Sequence, residues 1–414
     1  MGETSRCASV AVIGGGIVGR SIALQLAARG ITVTLIDRDG AGAASWGNAG
    51  HIATEQVEPF ASPATLRSAL RRLFLRGGPL ALPPAMAGSW LPFALRLVRA
   101  SSRRQVAAGS RALGSLLCEA APAWRRLGEA IGAPGLVGLD GHEVAWESAR
   151  SADAGRRAWA QADTGTARPG NVDAAGHAAL RRLSPAVVDA IRFVGTGRIT
   201  DLDQLAHALD GALARAGVTR VAAEARLRRA GDRIVCEGVD ADGIVVAAGI
   251  GSRDLMRAIG WRVPMIAERG YHVRFAPGDW PADRIPLVFE DRSMIVTRYA
   301  DCVQAAGFVE FGRADAPADP RKWQRLEAHV AALRLPVGPV VSRWMGARPT
   351  LPDYLPAIGR AVGVDNLFYA FGHQHLGLTL GPVTGEVLGQ LVGGETPAID
   401  LTPFALERLT GPLP

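Results

Sequence analysis

Val10-Ala11-Val12-Ile13-Gly14-Gly15-Gly16-Ile17-Val18-Gly19, followed by Ile31-Thr32-Val33-Thr34-Leu35-Ile36-Asp37, decides the fold of this 414-residue chain. An apolar run ends in Gly-x-Gly-x-x-Gly, a helical stretch follows, and a second apolar run ends in an acid. That is the grammar of a parallel βαβ unit built around a dinucleotide. Gly14 permits the sharp turn out of the first strand, Gly16 lets backbone amides approach a pyrophosphate, and Gly19 lets the helix pack closely on the strand. The helix starting at Ile17 and Val18 points its positive end at the phosphates. Asp37, 18 residues after Gly19, is placed to accept a hydrogen bond from a ribose 2′-hydroxyl. Arg38 sits beside it, but an acid in the ribose position disfavours a 2′-phosphate.

Composition narrows the field. With 48% hydrophobic and 21% charged residues, the chain is globular and long enough for about two to three domain-sized units. Its net charge is +7, and Lys322 is the only lysine, so the basic charge is almost all arginine. That charge suits anionic lipid or an acidic partner. Nucleic acid is not expected, because the basic residues are not interleaved with aromatics in a recognisable module. Cys7, Cys118, Cys236 and Cys302 lie far apart without a Cys-x-x-Cys, which suggests neither a zinc site nor a disulfide framework. The first strand begins near residue 8, leaving no space for a secretory signal, and no apolar run is long enough to span a bilayer. A cytoplasmic location is therefore expected.

Residues 56–175 lack nucleotide-fold grammar. Leu66, Leu70, Leu73 and Phe74 recur at helical spacing among Arg67, Arg71, Arg72 and Arg76, and Trp90-Leu91-Pro92-Phe93-Ala94-Leu95-Arg96-Leu97-Val98-Arg99 repeats the theme. These read either as helices packed on a second domain or as a peripheral contact with the inner face of the cell membrane. Residues 201–216 read as a helix, 219–223 as a strand, and Gly243-Ile244-Val245-Val246-Ala247-Ala248-Gly249 as a buried strand ending in a small-residue turn. Residues 271–275, 286–290, 294–299 and 302–308 read as short antiparallel strands, and 320–335 as a helix. No second Gly-x-Gly-x-x-Gly follows a strand, since Gly249-Ile250-Gly251 lacks the third glycine. The reductant is then the substrate itself rather than a nicotinamide; a nicotinamide-dependent dehydrogenase is the alternative.

Five segments occur in the order found in D-amino acid dehydrogenases. They are the opening VAVIGGGIVG, Ser45-Trp46-Gly47-Asn48-Ala49-Gly50-His51, the Ala247-Ala248-Gly249 turn, Gly346-Ala347-Arg348-Pro349-Thr350-Leu351-Pro352-Asp353, and Gly372-His373-Gln374-His375-Leu376-Gly377-Leu378-Thr379-Leu380-Gly381-Pro382. The chain thus resembles the FAD-dependent amine oxidoreductases, which include glycine and sarcosine oxidases. The resemblance implies an α/β protein with a discontinuous Rossmann-type FAD-binding domain (1–60, 176–260 and 345–414) and a mixed antiparallel α+β substrate domain (61–175 and 261–344). It implies noncovalent FAD, with Cys302 the residue that complicates that statement. It also places Ser45, Asn48, Gly50 and His51 along the cofactor and His51 near the isoalloxazine. Ala248 and Gly249 join them. Gly372, His375, Leu376, Gly377, Leu378 and Thr379 are expected at the pyrimidine edge, where a helix N-terminus stabilises negative charge on a reduced flavin. His373 and His375 lack a supporting acid or cysteine cluster, so no metal is expected.

By the same resemblance Arg348 docks a substrate carboxylate, as a planar fork of donors can. Tyr271 in Arg269-Gly270-Tyr271-His272 is expected to bind that carboxylate too. A salt bridge from Arg348 to Asp353 or another acid is the alternative role. The implied reaction is oxidative deamination of a small amino acid by hydride transfer from Cα to flavin N5, giving an imine and then a 2-oxo acid and ammonia. Electrons would pass to a quinone or an acceptor protein. The rivals are an oxygen-using oxidase of glycine, sarcosine or a cyclic imino acid such as D-hydroxyproline, and an FAD-bearing relay subunit without a substrate pocket. Water and His51 are both open as the base, and Glu310 and Arg298 have no assigned place.

Overall fold

The computed structural model describes residues 7–38, 43–69 and 72–409, without the side chains of residues 64 and 76. Leu70 and Arg71 of the expected basic helix lie outside the described residues. β1 (Ser9–Ile13) leads through the glycine turn into α1 (Ile17–Ala28) and back to β2 (Thr32–Ile36), as the spacing predicts. β1 sits inside a six-stranded sheet. On one side it pairs in parallel with β2, which pairs with the strand Thr219–Val221; on the other it pairs with Gly243–Val246, which pairs with Leu367–Phe371. Ala357–Arg360 closes that edge antiparallel. The chain leaves β1 in one direction and its other neighbour arrives from the opposite one. The carboxyl ends of β1 and Gly243–Val246 therefore open a crevice, the place where parallel sheets of this kind bind ligands.

The strand cores carry Val, Ile, Leu and Ala because both faces are covered, one by helices and the other by the hairpin of Leu227–Ala230 and Arg233–Cys236 with the short helix Ser252–Ala258. Val10, Ala11, Val12, Ile244, Val245 and Val246 are essentially inaccessible. One covering layer is α1 against the C-terminal helix Gly377–Val392. Gly381, Gly385 and Gly389 lie one turn apart on that helix, and a Cβ on them would meet Ile17, Ser21 and Gln25, themselves one turn apart on α1. Two backbones can approach only along such a bare ridge. At Gly385 the nearest atom is the Ser21 backbone carbon, 2.8 Å from where a Cβ would stand. Gly385→Val should therefore destabilise the fold by roughly 1–3 kcal/mol or more, read as a lowered midpoint of thermal unfolding. An unchanged midpoint would show that the helices can separate freely.

The second sheet has nine strands. Val340–Thr350, Ile266–Phe275, Val303–Gly312, Met294–Arg298, Leu287–Phe289, His142–Trp146, Asp189–Val194 and Arg168–Asn171 follow one another across it, and Leu80–Ala81 pairs beside Val303–Gly312. This moves two expected domain boundaries. Residues 189–194 join the second sheet because they pair antiparallel with His142–Trp146, and the chain returns to the cofactor sheet only after Thr350, since Val340–Thr350 pairs along the whole of Ile266–Phe275. Arg348 is consequently a residue of the substrate sheet. A small three-stranded sheet of His51–Ile52, Gly197–Ile199 and Val137–Gly138 joins the two bodies.

Candidate active site

The glycine turn is braced from below. Arg20, one residue beyond the fingerprint, is buried and donates from Nε to the Gly15 carbonyl at 2.7 Å and from Nη1 to Ala206 O at 3.0 Å, while pairing with Asp210 at 2.7 Å. Its guanidinium stacks on Trp46. Sequence reasoning missed this residue, although a basic side chain directly after the last glycine was the available signal. Ser45 Oγ accepts from the Ile17 amide at 3.1 Å. That amide is thus spoken for, and Ser45 brings its hydroxyl to the helix N-terminus instead. The Asp37 carboxylate leans over Gly15, where a Cβ would lie 2.3 Å from it.

A cavity of roughly 1900 Å³ runs from this turn to the second sheet, larger than the roughly 300–1000 Å³ of an ordinary small-molecule pocket. Gly14, Gly16, Ile17, Val18, Asp37, Arg38, Ser45, Asn48, His51, Ala248, Gly249, His375, Gly377 and Leu378 all border it. Five of the expected cofactor residues do not. Gly19 and Gly372 are bare because Gly14 O and Leu351 press on them. Gly50 lies under the Tyr299 hydroxyl, and Leu376 is buried in the core behind. Thr379 Oγ1 accepts from the Ala53 amide at 2.9 Å, pinning the segment after His51 to the C-terminal helix. Asn48 also serves the turn: its Oδ1 accepts from Gly50 N, and its carbonyl accepts from Tyr299 and Gln304. The cavity size, the bare glycine turn at a helix N-terminus and the acid at the end of β2 fit an extended dinucleotide.

On the second sheet, strand parity sorts the expected substrate residues. Glu268 pairs with Arg348, Gly270 with Gly346 and His272 with Trp344, so these six share one face. The guanidinium of Arg348 lies across Gly270, where a Cβ would stand 2.4 Å from Nη2. Its Nη1 donates to Glu268 Oε1 at 3.3 Å, and Glu268 Oε2 accepts from the hydroxyls of Thr350 and Tyr354, both at 3.1 Å. The partner of Arg348 is therefore Glu268; Asp353 pairs with Arg408. Only Glu268 among the described residues engages Arg348, which leaves most of its five N–H donors for a ligand.

Tyr271 is one residue out of step and points to the opposite face. Its hydroxyl donates to Glu310 at 3.0 Å and accepts from the Asp319 amide. Glu310 also pairs with Arg269 and with Lys322. Tyr271 is a member of a buried polar cluster behind the sheet, with no proton left for a carboxylate. The expectation that it shares the carboxylate with Arg348 is corrected, and Glu310 finds its place. Trp344 covers Gly346 and Gly47 and stacks on His272, whose Nδ1 donates to Gly47 O. Burial pushes the His272 pKa down to about 3, so it is neutral.

His51 borders the cavity in company the sequence did not announce. Glu55 lies one turn of chain away, with its Oε2 3.8 Å from His51 Nε2, and the ring of His142 stands 4.4 Å from that of His51. His375 Nε2 meets Gln56 Oε1, and Gln56 Nε2 reaches Glu55 Oε1 at 3.5 Å. Burial drives the imidazole pKa values down, to about 4 for His51 and about 3 for His375, and raises the Glu55 carboxyl to about 7.

Residues 9–391 match the family described as FAD dependent oxidoreductase. A D-amino-acid oxidase of Bradyrhizobium diazoefficiens is 32% identical, with 96% of this chain and 98% of that protein covered. A D-amino acid dehydrogenase of Cereibacter sphaeroides is 29% identical, over 97% of this chain and 96% of that one. Among solved structures, glycine oxidase from Geobacillus kaustophilus superimposes with a TM-score of 0.71 at 22% identity, covering 97% of this chain and 98% of the other. That likeness speaks for the fold.

Proposed function

Because the chain belongs to the FAD-dependent oxidoreductase family, we propose that it oxidises a small amino acid, of D configuration, at its Cα–N bond. The single observation that carries this reading is the Arg348 fork, laid over Gly270 and facing the cavity that begins at the dinucleotide turn. FAD, when bound along Gly14–Val18 and Asp37, supplies the two-electron acceptor for the hydride leaving Cα. The protein does the rest by position. Arg348 grips the carboxylate, Glu268 fixes Arg348, and Glu268 is itself held by Thr350 and Tyr354. Holding Cα within about 3.5 Å of the acceptor supplies several kcal/mol of the barrier. Trp344, stacked on His272, walls the same face. The resulting imine hydrolyses in water to a 2-oxo acid and ammonia.

Anaerobic mixing with D- and L-amino acids, sarcosine and hydroxyproline isomers tests the reading. Small D-amino or D-imino acids should bleach the flavin absorbance; yellow protein that none of them bleaches would favour a relay subunit instead. We assign the electrons to a quinone or an acceptor protein, supported by the dehydrogenases among the relatives; hydrogen peroxide released in stoichiometric amount would transfer the assignment to oxygen. FAD is held noncovalently in this reading. No cysteine borders the cavity among the described residues, and Cys302 is packed with Ile17, Trp124 and Tyr299, its thiol pushed up to about 12 by burial. Acid precipitation should leave a colourless pellet and a yellow supernatant.

Among the described residues no helix is long and apolar enough to cross a membrane. The helix Ala87–Ala100 offers a different contact. Phe93 on its inner side packs on Phe311, whereas Leu91, Leu95 and Val98 on its outer side are each at least half exposed and are bordered by Arg96 and Arg99. Leucines entering an anionic lipid interface with arginines at the phosphates match this face. Holoenzyme should sediment with phosphatidylglycerol vesicles at low salt and be released as salt is raised, and Leu91→Ser with Leu95→Ser should abolish sedimentation. Binding that ignores both changes would remove the helix from that role.

A further inference from the structure

We propose that Glu55 and His51 form the amine pole of the substrate cavity: Glu55 Oε2 takes a proton from the substrate ammonium, and His51 Nε2 accepts a second N–H from the same nitrogen. The inference deepens the reading above and rests on it. A zwitterion has two ends. Arg348 answers the carboxylate, and nothing assigned so far answers the ammonium.

Three observations converge on Glu55 and His51. First, their facing atoms, Glu55 Oε2 and His51 Nε2, are both buried and both without a hydrogen-bond partner among the described residues. Unsatisfied buried acceptors are costly, and a pair of them facing each other across 3.8 Å is a gap that one nitrogen fills at ordinary hydrogen-bond distance from each. Second, both border the cavity that Arg348 borders. The two poles therefore open on the same cavity. Third, no arginine or lysine pairs with Glu55 among the described residues; the one group within ion-pair distance of it is the His51 imidazole, which burial keeps neutral. A buried carboxyl without a fixed cation is suited to a cation that arrives with the substrate.

The surroundings hold the pair in a usable state. His142 stacks on Phe193 and has Nδ1 2.8 Å from the Thr196 hydroxyl, so it is fixed as a wall beside His51. His51 sits on the strand His51–Ile52, locked by pairing with Gly197–Ile199. Gln56 tethers Glu55 to His375. The groups facing Glu55 are thus His51 and His142, with His375 beyond Gln56, and burial keeps all three imidazoles uncharged at neutral pH. The same burial raises the Glu55 carboxyl to about 7, near the pH at which a group both takes and returns protons readily.

The step balances simply. One ammonium N–H bond breaks, its proton moves to Glu55 Oε2, and the pair of electrons stays on nitrogen. The neutral amine can then form the C=N bond as the Cα–H bond is lost in the oxidation. Below about pH 7 Glu55 already carries a proton and cannot accept another, so kcat/KM should fall on the acid side through that range.

Wild type and Glu55→Gln holoenzymes are compared between pH 5 and 10, by anaerobic flavin reduction with the amino acid that bleaches wild type fastest. At pH 7 Glu55→Gln should be slower by roughly 10²-fold or more. Its rate should climb about tenfold per pH unit toward the wild-type value, because at high pH the solution supplies the neutral amine directly. Binding of a plain carboxylate such as acetate, followed by perturbation of the flavin spectrum, should be unchanged in Glu55→Gln. His51→Gln, which keeps an acceptor, should retain most of the activity that His51→Leu loses. FAD content and unfolding midpoint establish that each variant is folded, and Glu55→Asp serves where Glu55→Gln is not. A wild type that bleaches with a pH profile shared by Glu55→Gln overturns the inference alone; a wild type that never bleaches overturns the reading beneath it. A stoichiometric transition metal in purified protein, with activity lost to chelators, would also overturn the inference and make His51, Glu55 and His142 its ligands.

Discussion

Exchanging Arg348 for alanine is expected to raise the KM for the amino acid by about 10²–10³-fold, the loss of roughly 3–4 kcal/mol that a charge-assisted, forked contact to a carboxylate is worth. The variant also strands Glu268, which is 2% exposed and would keep only the hydroxyls of Thr350 and Tyr354. Some loss of stability should accompany the kinetic loss. Two further variants separate the effects. Arg348→Lys retains a cation for Glu268 but not the planar fork, so stability should return while KM stays high. Gly270→Ala leaves both charges in place and pushes on the flexible end of Arg348, with the new Cβ 2.4 Å from Nη2. It should raise KM with little change in unfolding midpoint. The measurements are steady-state KM and kcat beside thermal unfolding. An unchanged KM in Arg348→Ala would remove the carboxylate anchor and the proposal built on it.

What the sequence disclosed and what it withheld follows a physical division. The turn at Gly14, the helix after it and the acid at Asp37 are local: each needs only its neighbours, and each is where the spacing places it. The strand Gly243–Val246 and the later half of Ile266–Phe275, from Tyr271 on, are nearly as local, since alternation and apolar runs mark them; the first half, from Ile266, carries no such mark. The family resemblance, carried by segments at both ends, holds over residues 9–391.

Tyr271 failed for a reason that no single segment reveals. Whether it shares a face with Arg348 depends on the register between two strands some seventy residues apart in sequence, and a slip of one residue reverses the answer. The same holds for the strand Asp189–Val194, which reads well for either sheet until its partner His142–Trp146 is known. Glu55 was overlooked because a lone acid after an apolar stretch ordinarily faces water; only the fold buries it beside His51 and His142. The ridge at Gly381, Gly385 and Gly389 stands at a spacing of four, and it reports contact between two helices, which only the fold reveals.

Substituting Gly14 should have the largest effect on the cofactor. Its φ is +116°, a backbone region that L side chains rarely occupy, and a Cβ would lie 2.4 Å from the Ala247 carbonyl oxygen and 2.7 Å from the Ala248 Cα. Those atoms belong to the neighbouring strand end, hydrogen-bonded from Ala247 N to Ile13 O, so they cannot swing aside as a side chain would. Strain of about 1–2 kcal/mol for the backbone adds to about 1–3 kcal/mol for the overlap. The two strand ends must part, and the turn that aims Gly15 and Gly16 at the crevice loses its shape. Gly14→Ala is thus expected to weaken FAD binding by roughly 10²-fold or more, and Gly14→Val to purify colourless. Flavin absorbance relative to protein, before and after incubation with excess FAD, measures this directly. If Gly14→Val emerged yellow and stoichiometric, the dinucleotide would have to lie elsewhere in the cavity. The placement of Arg348, Glu55 and His51 beside its reactive end, proposed above, would fall with it.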